Sequence, residues 1–409
     1  MNSDISEKQG NIALPHQRLL LICCLVSFGC YSGAYMRIPV LPLFARGLGA
    51  DTLQVGMITS SFMLVAGLLC FPLGIISDRL GRKRLILAGL LLSSATSFLL
   101  GFSKTPWQLL GVYLFSGAGI AAFAPTMMSF VIDFSPKTHI GRSYGWYTMS
   151  LYGGMSVGPA LGGFAAQVLS FEWVFAISAL FTFIMFWIAL MALPGHPGQH
   201  HQSRPERKNT AIFRELARNR FLLACLLVTL GSSFCLGVFI TFAPLHASDQ
   251  GIGVGEIGII FGVQAVVNAL CRIPFGYLSD QVADRKKMVF AGLLGYSLSI
   301  VGIGVSSSLS SFLVSAFAMG ICMGIAFTAI GALIAEVVPS DSRGFAMGAY
   351  NTCIYLGMML SALIMGMITR DLGFRFGFIT TALINAVCAL AFLLLFRFAS
   401  GRKCAFPGR

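Results

Sequence analysis

Charged residues that could do chemistry are concentrated in two similar short stretches of the chain. Residues 74–84 read GIISDRLGRKR, and residues 276–287 read GYLSDQVADRKK. Each stretch lies between two long apolar runs, and Asp280 follows Asp78 by 202 residues. An aspartate at a helix end accepts hydrogen bonds from the free N–H groups at the start of another helix and interacts favourably with its dipole. The chemistry of these stretches is therefore reversible charge pairing.

Other reactive residues do not form a catalytic or metal-binding pattern. Ten of the eleven cysteines lie in apolar runs and Cys404 lies in the C-terminal tail, without the spacing of metal ligands. The sequence has no nucleophile paired with a base and no glycine-rich phosphate loop. We therefore expect a protein that is not an enzyme and that holds no metal or cofactor, with most cysteines serving as small packing residues.

The composition indicates that these residues are carried by membrane helices. Of 409 residues, 56% are hydrophobic and only 11% are charged, and a soluble domain could not bury so much apolar surface. Twelve runs approach the roughly 20 residues needed to cross a bilayer, and they are continuous, which favours helices over a barrel. Their centres lie near residues 30, 65, 92, 118, 153, 182, 232, 267, 296, 322, 356 and 384. We expect an all-α membrane protein with twelve transmembrane helices, the first retained because its run is too long for a signal peptide.

Basic residues orient these helices, because short cytoplasmic loops retain Lys and Arg. With a cytoplasmic N-terminus, 22 of the 28 basic residues fall inside, and Arg37 and Arg272 lie within helices. The four that fall outside are Arg46, Lys104, Arg370 and Arg375. Both termini and the central loop are therefore assigned to the cytoplasm, and the protein to the inner or plasma membrane. The net charge of +13 then reflects topology, and no nucleic-acid partner is expected.

Polar side chains within the predicted helices are candidates for a substrate cavity. An ionisable group at membrane depth is a functional candidate by default, although Arg272 is close enough to Asp280 to snorkel toward it. Gln264, Asn268 and Arg272 are spaced by four, so one face of their helix points away from lipid. The full set is Tyr31, Tyr35, Arg37, Tyr113, Gln264, Asn268, Arg272, Asn351 and Tyr355. Ordinary interhelical hydrogen bonding is the alternative for each of them.

An internal duplication relates the two halves of the chain at a nearly constant offset. The matched pairs are Pro42 and Pro244, Gly56 and Gly258, Gly74 and Gly276, and Asp78 and Asp280 at 202, then Asp133 and Glu336 and Gly145 and Gly348 at 203. Residues 194–220 are rich in His, Arg, Pro and Gln and form the evident linker. We predict an N-terminal six-helix bundle over residues 1–193, a cytoplasmic linker loop over 194–220 and a C-terminal six-helix bundle over 221–409.

These features together resemble the major facilitator superfamily. The resemblance rests on two six-helix halves, a long central loop and the pattern Gly-x-x-x-Asp-x-x-Gly-Arg-Lys-Arg after the second helix, and it covers essentially the whole chain. It implies a transporter whose pseudo-symmetric bundles rock about a central site. It also assigns the loop residues to a gating latch: Gly74, Asp78, Gly81, Arg82, Asp133, Arg142, Gly276, Asp280, Arg285, Glu336 and Arg343. Ala283 or Asp284 replaces the family's second glycine in the second copy, which is expected to contribute less.

The residue types of the latch also have a physical basis. Gly74 lies one turn before Asp78 and is expected to let a neighbouring backbone come close. The Asp78 carboxylate is expected to accept hydrogen bonds at the start of the eleventh helix, near Gly344. Arg82 would then hold Asp78 and Asp133 in one charge network.

A second pattern occupies the fifth predicted helix, in which three glycines fall four apart on one face. The pattern comprises Gly145, Gly154, Gly158, Pro159, Gly162 and Gly163. A facing helix can approach such a face nearly to backbone contact, while the proline bends or stiffens the segment. The pattern resembles the signature of the drug:proton antiporter branch, which implies that the glycine face seals the central cavity against ion leak. Generic close packing is the alternative.

Energy coupling departs from this resemblance. Proton-coupled relatives use a buried carboxylate with a raised pKa, yet none of the fifteen acidic residues here falls near a bilayer centre. The branch also places an arginine four residues before the glycine of the fourth helix, where this chain has Tyr113. Proton coupling is therefore expected only if Asp78 or Asp133 carries it.

Two functional hypotheses follow, both for a secondary active transporter. The first is an exporter of small organic or amphiphilic compounds, which resembles drug efflux. The second is a carrier for an organic anion or anionic lipid, because two arginines but none of the acidic residues are expected within the bilayer-spanning runs. A non-transporting sensor is disfavoured, since the gating loop is kept and no soluble domain is added. The expected partners are the bilayer, a small-molecule substrate and possible coupling protons, with the protein acting as a monomer.

Overall fold

The computed structural model describes residues 3–136, 139–194, 218–281, 285–338 and 343–400, and these residues form helices without a strand. The helices are α1 Ser3–Met36, α2 Val40–Gly47, α3 Thr52–Leu80, α4 Arg82–Leu100, α5 Pro106–Phe134, α6 Ile140–Val168, α7 Phe171–Ala192, α8 Arg220–Asp249, α9 Val254–Gln281, α10 Arg285–Val305, α11 Leu309–Val337 and α12 Arg343–Ser400. Helices dominate because lipid offers no hydrogen bonds, so each backbone group must be satisfied within its own segment.

Several helix starts are fixed by side-chain caps. Thr105 precedes α5, and its hydroxyl oxygen accepts a hydrogen bond from the Gln108 backbone N–H at 3.3 Å, with Pro106 at the first helical position. Ser308 and Ser311 form a reciprocal capping box before α11. The Asn219 side chain accepts from two backbone N–H groups at the start of α8. These caps satisfy donors that would otherwise lack a partner.

The predicted transmembrane runs all fall in these helices. Ten segments of the described chain are long and apolar enough to cross a membrane, and the longest, Ala346–Phe396, contains the eleventh and twelfth predicted runs. Gly373, with φ 81° and ψ 166°, interrupts α12 between those two runs. The fifth run corresponds to α6, which is not among the ten segments. The all-α membrane fold predicted from the sequence is therefore confirmed.

Two compact units divide the chain, and neither is continuous in sequence. The first comprises Met1–Gly49, Val65–Gln199 and Gly253–Gly262, and the second comprises Ala50–Leu64, His200–Ile252 and Val263–Arg409. The beginning of α3 thus belongs to the second unit, and the beginning of α9 belongs to the first. The linker predicted over residues 194–220 lies mostly outside the described residues.

In the first unit, α1 packs against α6 and α7, and α4 packs against α5 and α7. The interior contains large side chains that are essentially inaccessible to solvent, among them Ile86, Phe123, Tyr147 and Phe175. The Phe44 ring of α2 lies 5.1 Å from the Phe175 ring, centroid to centroid. The short helix α2 is thereby held against the same core.

The second unit repeats this arrangement with the equivalent helices. The helix α12 packs against α8 and α10, and α10 packs against α11. Its core includes Val228, Leu293, Ile330 and Phe392. Asn385 is fully buried, and its Nδ2 donates to the Leu293 carbonyl at 3.1 Å. Such an interhelical hydrogen bond stabilises helix association where lipid supplies no hydrophobic driving force.

Candidate functional site

An ion pair joins the start of α4 to the end of α5 within the first unit. Arg82 Nη2 lies 2.8 Å from Asp133 Oδ2, and both side chains are partly exposed, at 22% and 41%. Arg82 is positioned by Gly81, whose φ of 91° turns the chain directly from α3 into α4. Because such a φ is rarely adopted by residues with a side chain, glycine is required at this turn.

The second unit contains the equivalent ion pair. Arg285 Nη1 at the start of α10 lies 3.5 Å from Glu336 Oε2 near the end of α11. Each of these residues follows its counterpart in the first unit by 203 residues. The duplication makes Glu336 the equivalent of Asp133, but the sequence pattern did not identify Arg285 as the ion-pair partner of Glu336.

The structure says less about the other predicted latch residues. A Cβ built on Gly74 meets no atom within 4 Å, and one built on Gly276 meets only a Thr328 methyl group at 3.9 Å. Among the described residues no backbone lies close to Gly74, and the close approach expected there stays a prediction. Arg142 is exposed. The side chains of Asp78, Asp280 and Arg343 lie outside the described part of the structure, so their pairing stays a prediction.

Lys83 has a structural role that the sequence did not reveal. Its Nζ donates to the backbone carbonyls of Leu190 at 2.8 Å and Leu193 at 2.6 Å, at the C-terminal end of α7. The last carbonyls of a helix lack intrahelical partners and carry partial negative charge, so an ammonium group is favourable there. From the sequence alone, this lysine was expected only to mark the cytoplasmic side of the membrane.

The glycine face of α6 packs directly on the backbone of α1. A Cβ at Gly154 would lie 3.0 Å from the Ser32 nitrogen, one at Gly158 would lie 2.7 Å from the Ser32 carbonyl oxygen, and one at Gly162 would collide with the Met36 carbonyl. Hydrogen is therefore the only side chain that these three positions accommodate without movement. The facing helix predicted from the glycine spacing is α1.

The equivalent contact in the second unit uses a different distribution of small residues. A Cβ built on Gly357 of α12, the counterpart of Gly154, would lie 2.5 Å from the Leu230 carbonyl oxygen. Gly158 is replaced by Ser361, and here the glycine lies on the opposite helix, because Gly237 of α8 packs against Ser361. α8 and α12 thus approach each other closely, as α1 and α6 do, but here the glycine lies on α8 and the larger residue lies on α12.

Two further close glycine contacts involve the beginnings of α3 and α9. These are the short segments that belong to the unit formed mainly by the other half of the chain. Within the first unit, a Cβ at Gly163 would lie 2.8 Å from Gly258 Cα at the beginning of α9. Within the second unit, a Cβ at Gly56 would collide with the Ala362 carbonyl. Gly56 and Gly258 are a matched pair of the duplication, so each unit contains a backbone-to-backbone crossing of the same kind. Gly145, the first glycine of the helix-five pattern, has open space around it.

Arg37 is the most deeply buried charged side chain in the described structure. It lies in the turn between α1 and α2, is only 4% exposed, and donates from Nη1 to Ser116 Oγ at 3.0 Å. The Ser116 hydroxyl in turn lies 2.9 Å from Thr96 Oγ1, which donates to the Leu92 carbonyl at 2.8 Å. Burying a charge is strongly unfavourable unless the charge is paired and hydrogen-bonded. These contacts are therefore expected to be functional or strongly stabilising.

Aromatic residues surround this part of the first unit. Tyr31 and Tyr113 are buried, and Tyr35 is half-buried. The Tyr31 ring lies 6.4 Å from the Tyr35 ring and 6.2 Å from the Phe123 ring, between centroids. The four cavity candidates from the first half of the sequence thus fall in one unit, and three of them are tyrosines.

The remaining cavity candidates belong to the second unit. Gln264 and Asn268 are buried; Gln264 Nε2 lies 3.2 Å from Met323 Sδ, and Arg272 Nε donates to Asn268 Oδ1 at 2.9 Å. Within the polar stripe predicted along this helix, Arg272 and Asn268 bond to each other, whereas Gln264 contacts α11. Asn351 is exposed and donates to the Met347 carbonyl of its own helix, and Tyr355 is half-buried.

His246 is a buried polar residue that the sequence reasoning missed. Its ring lies 5.5 to 5.8 Å from the rings of Phe312, Phe374 and Phe378, and its Nε2 has no hydrogen-bond partner in the described part of the chain. A single histidine near the end of an apolar run was the only available signal. The surrounding rings indicate a packing role.

Comparisons with known proteins agree with this architecture. A sequence profile described as Major Facilitator Superfamily matches residues 23–255 and 229–403. The chain is 25% identical over 377 residues to Multidrug resistance protein MdtG of Proteus mirabilis, covering 88% of this chain and 91% of that protein. It is 23% identical over 359 residues to an uncharacterised MFS-type transporter of Methanocaldococcus jannaschii, covering 87% and 92%.

A solved structure shows the same fold. It is a bacterial homologue of the human lysosomal transporter Spinster, in an inward-facing and unoccupied conformation, with a TM-score of 0.83 and 18% identity. The match covers 96% of this chain and 99% of the other. The profile match, the duplicated helices and this shared fold together establish that the chain belongs to the Major Facilitator Superfamily, as a multi-pass membrane transporter and not an enzyme.

Proposed function

We propose that this transporter exports small organic or amphiphilic solutes across the plasma membrane by alternating access, with both termini in the cytoplasm. Export is supported by similarity to MdtG, whose name describes it as a multidrug resistance protein. The cytoplasmic placement of both termini is supported by the excess of basic residues in the loops that this orientation puts on the cytoplasmic side.

The observation that carries the proposal is the repeated ion pair. Arg82 with Asp133 and Arg285 with Glu336 join equivalent helix ends in the two units. Alternating access requires elements with two arrangements, and partly exposed charge pairs can break and re-form at small free-energy change. In this proposal the pairs belong to a cytoplasmic latch that also includes Asp78.

The glycine face of α6 supports a sealing role in the same cycle. Gly154, Gly158 and Gly162 bring α6 to the backbone of α1, which leaves no room for water or ions between the two helices. In this proposal the α1–α6 pair moves as one rigid element while other contacts change.

Coupling to protons is the less supported part of the antiporter analogy. Among the described side chains no carboxylate is buried, whereas Arg37 is. We therefore propose that coupling, if present, involves Asp78 or Asp133 at the cytoplasmic helix ends. A second candidate function is a carrier for an organic anion, which the buried guanidinium of Arg37 favours.

Reconstitution of the purified full chain tests the proposal. Proteoliposomes are loaded with an amphiphilic dye, and release is followed with and without an imposed pH gradient. The proposal expects release above that of protein-free liposomes, and a reduced rate in an Arg82→Gln variant that elutes as a folded monomer. Release no faster than from protein-free liposomes across amphiphilic cations, neutral compounds and anions would contradict it. Acceleration by the gradient would identify proton coupling.

A further inference from the structure

We propose that Arg37 and Ser116 form an anion-binding subsite that receives the acidic group of an amphiphilic organic solute. This inference rests on the proposed transport function and names the substrate class that the first unit recognises. The acidic group is a carboxylate, phosphate or sulfonate, since each presents oxygens that a guanidinium group binds with two parallel hydrogen bonds.

Arg37 carries a charge that no described carboxylate balances. Arginine stays protonated in proteins and has five N–H donors. Arg37 is 4% exposed, and its Nε–H has no acceptor among the described residues. A buried charge is normally paired, since desolvation without a counter-charge is strongly unfavourable. Within the described side chains no carboxylate forms an ion pair with Arg37, in contrast to Arg82 and Arg285.

The hydrogen-bonded groups next to Arg37 are uncharged. Its Nη1 donates to Ser116 Oγ, and the Ser116 hydroxyl is bonded to Thr96 Oγ1, which donates to the Leu92 carbonyl. Each acceptor in this series is neutral. The series orients the guanidinium group from one side without supplying negative charge, which leaves that charge to be supplied by a ligand.

The second copy of the duplication lacks the arginine, the tyrosine and the serine of this cluster. The positions equivalent to Arg37, Tyr113 and Ser116 are occupied by Phe239, Ala316 and Met319. These three counterparts are apolar and at most 1% exposed. In the second unit these three positions therefore carry neither a charge nor a hydroxyl group. Packing alone does not require an arginine here, so the polar cluster is a feature specific to the first unit.

Aromatic side chains next to the cluster indicate the rest of the solute. Tyr113 lies three residues before Ser116 on α5, and Tyr31, Tyr35 and Phe123 form a series of ring contacts in the same unit. Aromatic surface binds apolar groups, and tyrosine adds a polar end. An anion with an apolar body fits these surroundings better than an inorganic ion.

Matched amphiphiles test this inference on the full chain in nanodiscs. Decanoate, decyl phosphate and decanesulfonate supply the anionic group, and decyltrimethylammonium supplies the opposite charge on the same apolar body. Binding is measured for wild type and for Arg37→Gln, Arg37→Lys, Ser116→Ala and Lys104→Gln. Lys104→Gln is the control, because it neutralises an exposed lysine outside the cluster.

We expect at least one anion to bind the wild type more tightly than the cation does. Arg37→Gln should weaken its binding at least about tenfold, as loss of a charged hydrogen-bonded contact does. Arg37→Lys should recover part of the loss, Ser116→Ala should weaken binding less, and Lys104→Gln should leave it unchanged. Unaltered anion binding in Arg37→Gln, or a wild type that prefers the cation to all three anions, overturns the inference. If Arg37→Gln does not fold, Arg37→Lys and Ser116→Ala give the same comparison.

Two further measurements complete the test. One distinguishes a lipid headgroup from a free organic acid as the source of the anionic group, and the other distinguishes failure of the subsite from failure of the transport proposal. Repeating the measurement in discs containing phosphatidylglycerol shows whether a lipid headgroup competes; competition assigns the subsite to an anionic lipid, and its absence assigns it to a free organic acid. If an anion binds but no amphiphilic cation, neutral compound or anion is moved in proteoliposomes, the transport proposal fails while the subsite stands. If neutral or cationic dyes are moved but no anion binds, the subsite fails while transport stands.

Discussion

The carboxylate of Asp133 lies 2.8 Å from the guanidinium group of Arg82, so the end of α5 is tied to the start of α4 by an ion pair. The same tie recurs 203 residues later, between Arg285 and Glu336 at 3.5 Å. Exposure of the side chains keeps each pair weak, since solvent-exposed ion pairs contribute about 0.2–1 kcal/mol. Weak pairs at repeated helix ends are suited to a structure that must change its arrangement during each cycle.

Neutralising the first ion pair should affect transport more than folding. In Arg82→Gln, Asp133→Asn and the double variant, we expect the free energy of unfolding to fall by about 0.2–1 kcal/mol for each single change. The double variant should lose less than the sum, because both single variants break the same contact. Thermal unfolding and dye release from proteoliposomes measure the two effects. Arg84→Gln is the control, and an equal loss of transport there would remove the case for a specific pair.

Asp78→Asn should abolish most transport while leaving the protein folded. The substitution keeps the size of the side chain but removes the charge that is predicted to interact with a helix start, where a carboxylate contributes about 0.3–1 kcal/mol. Expression, gel filtration and transport rate are compared with those of wild type. A well-expressed Asp78→Asn protein with wild-type transport would contradict the latch hypothesis.

Gly162→Ala should destabilise the first unit. The added methyl group would collide with the Met36 carbonyl, and overpacking of a close contact is unfavourable by about 1–3 kcal/mol. Gly145→Ala is the matched control, because no atom lies within 4 Å of its Cβ position. Thermal unfolding of the two variants should separate them clearly. Equal stability would mean that α1 and α6 can move apart without loss.

Lys83→Met should lower stability by about 1 kcal/mol, the range expected for a charged hydrogen bond at a helix C-terminus. The change removes the donor to the Leu190 and Leu193 carbonyls at the end of α7. Arg84→Met removes a neighbouring exposed charge and serves as the comparison. If both substitutions change the melting temperature equally, the contribution of Lys83 is only its net charge.

Features that depend on short-range pattern could be predicted from the sequence. Continuous apolar runs gave the twelve spans, because a helix in lipid needs only length and hydrophobicity. Three glycines four residues apart indicated a face for close packing, because residues at that spacing lie on the same side of a helix. The facing helix could not be named, since glycine spacing does not specify its partner.

Features that depend on contacts between distant residues were missed. Ser116 and Thr96 looked like ordinary helix residues, and only the fold brings them to Arg37. Lys83 was attributed to topology because its partners are backbone carbonyls about a hundred residues away, which carry no signature in the sequence. The separation of the chain into units that exchange short segments was also not visible, since α3 and α9 read as uniform apolar runs.

The exchange of glycine between Gly158 and Gly237 has a consequence for the divergence of the two repeats. In the first unit, Gly158 makes room for the Cβ of Tyr35; in the second, Gly237 occupies the position equivalent to Tyr35 and packs against Ser361. The first unit thus carries a phenol ring where the second has a glycine, and in both units the two helices stay in close contact. Transplanting either helix alone into the other copy would therefore create a clash or a void.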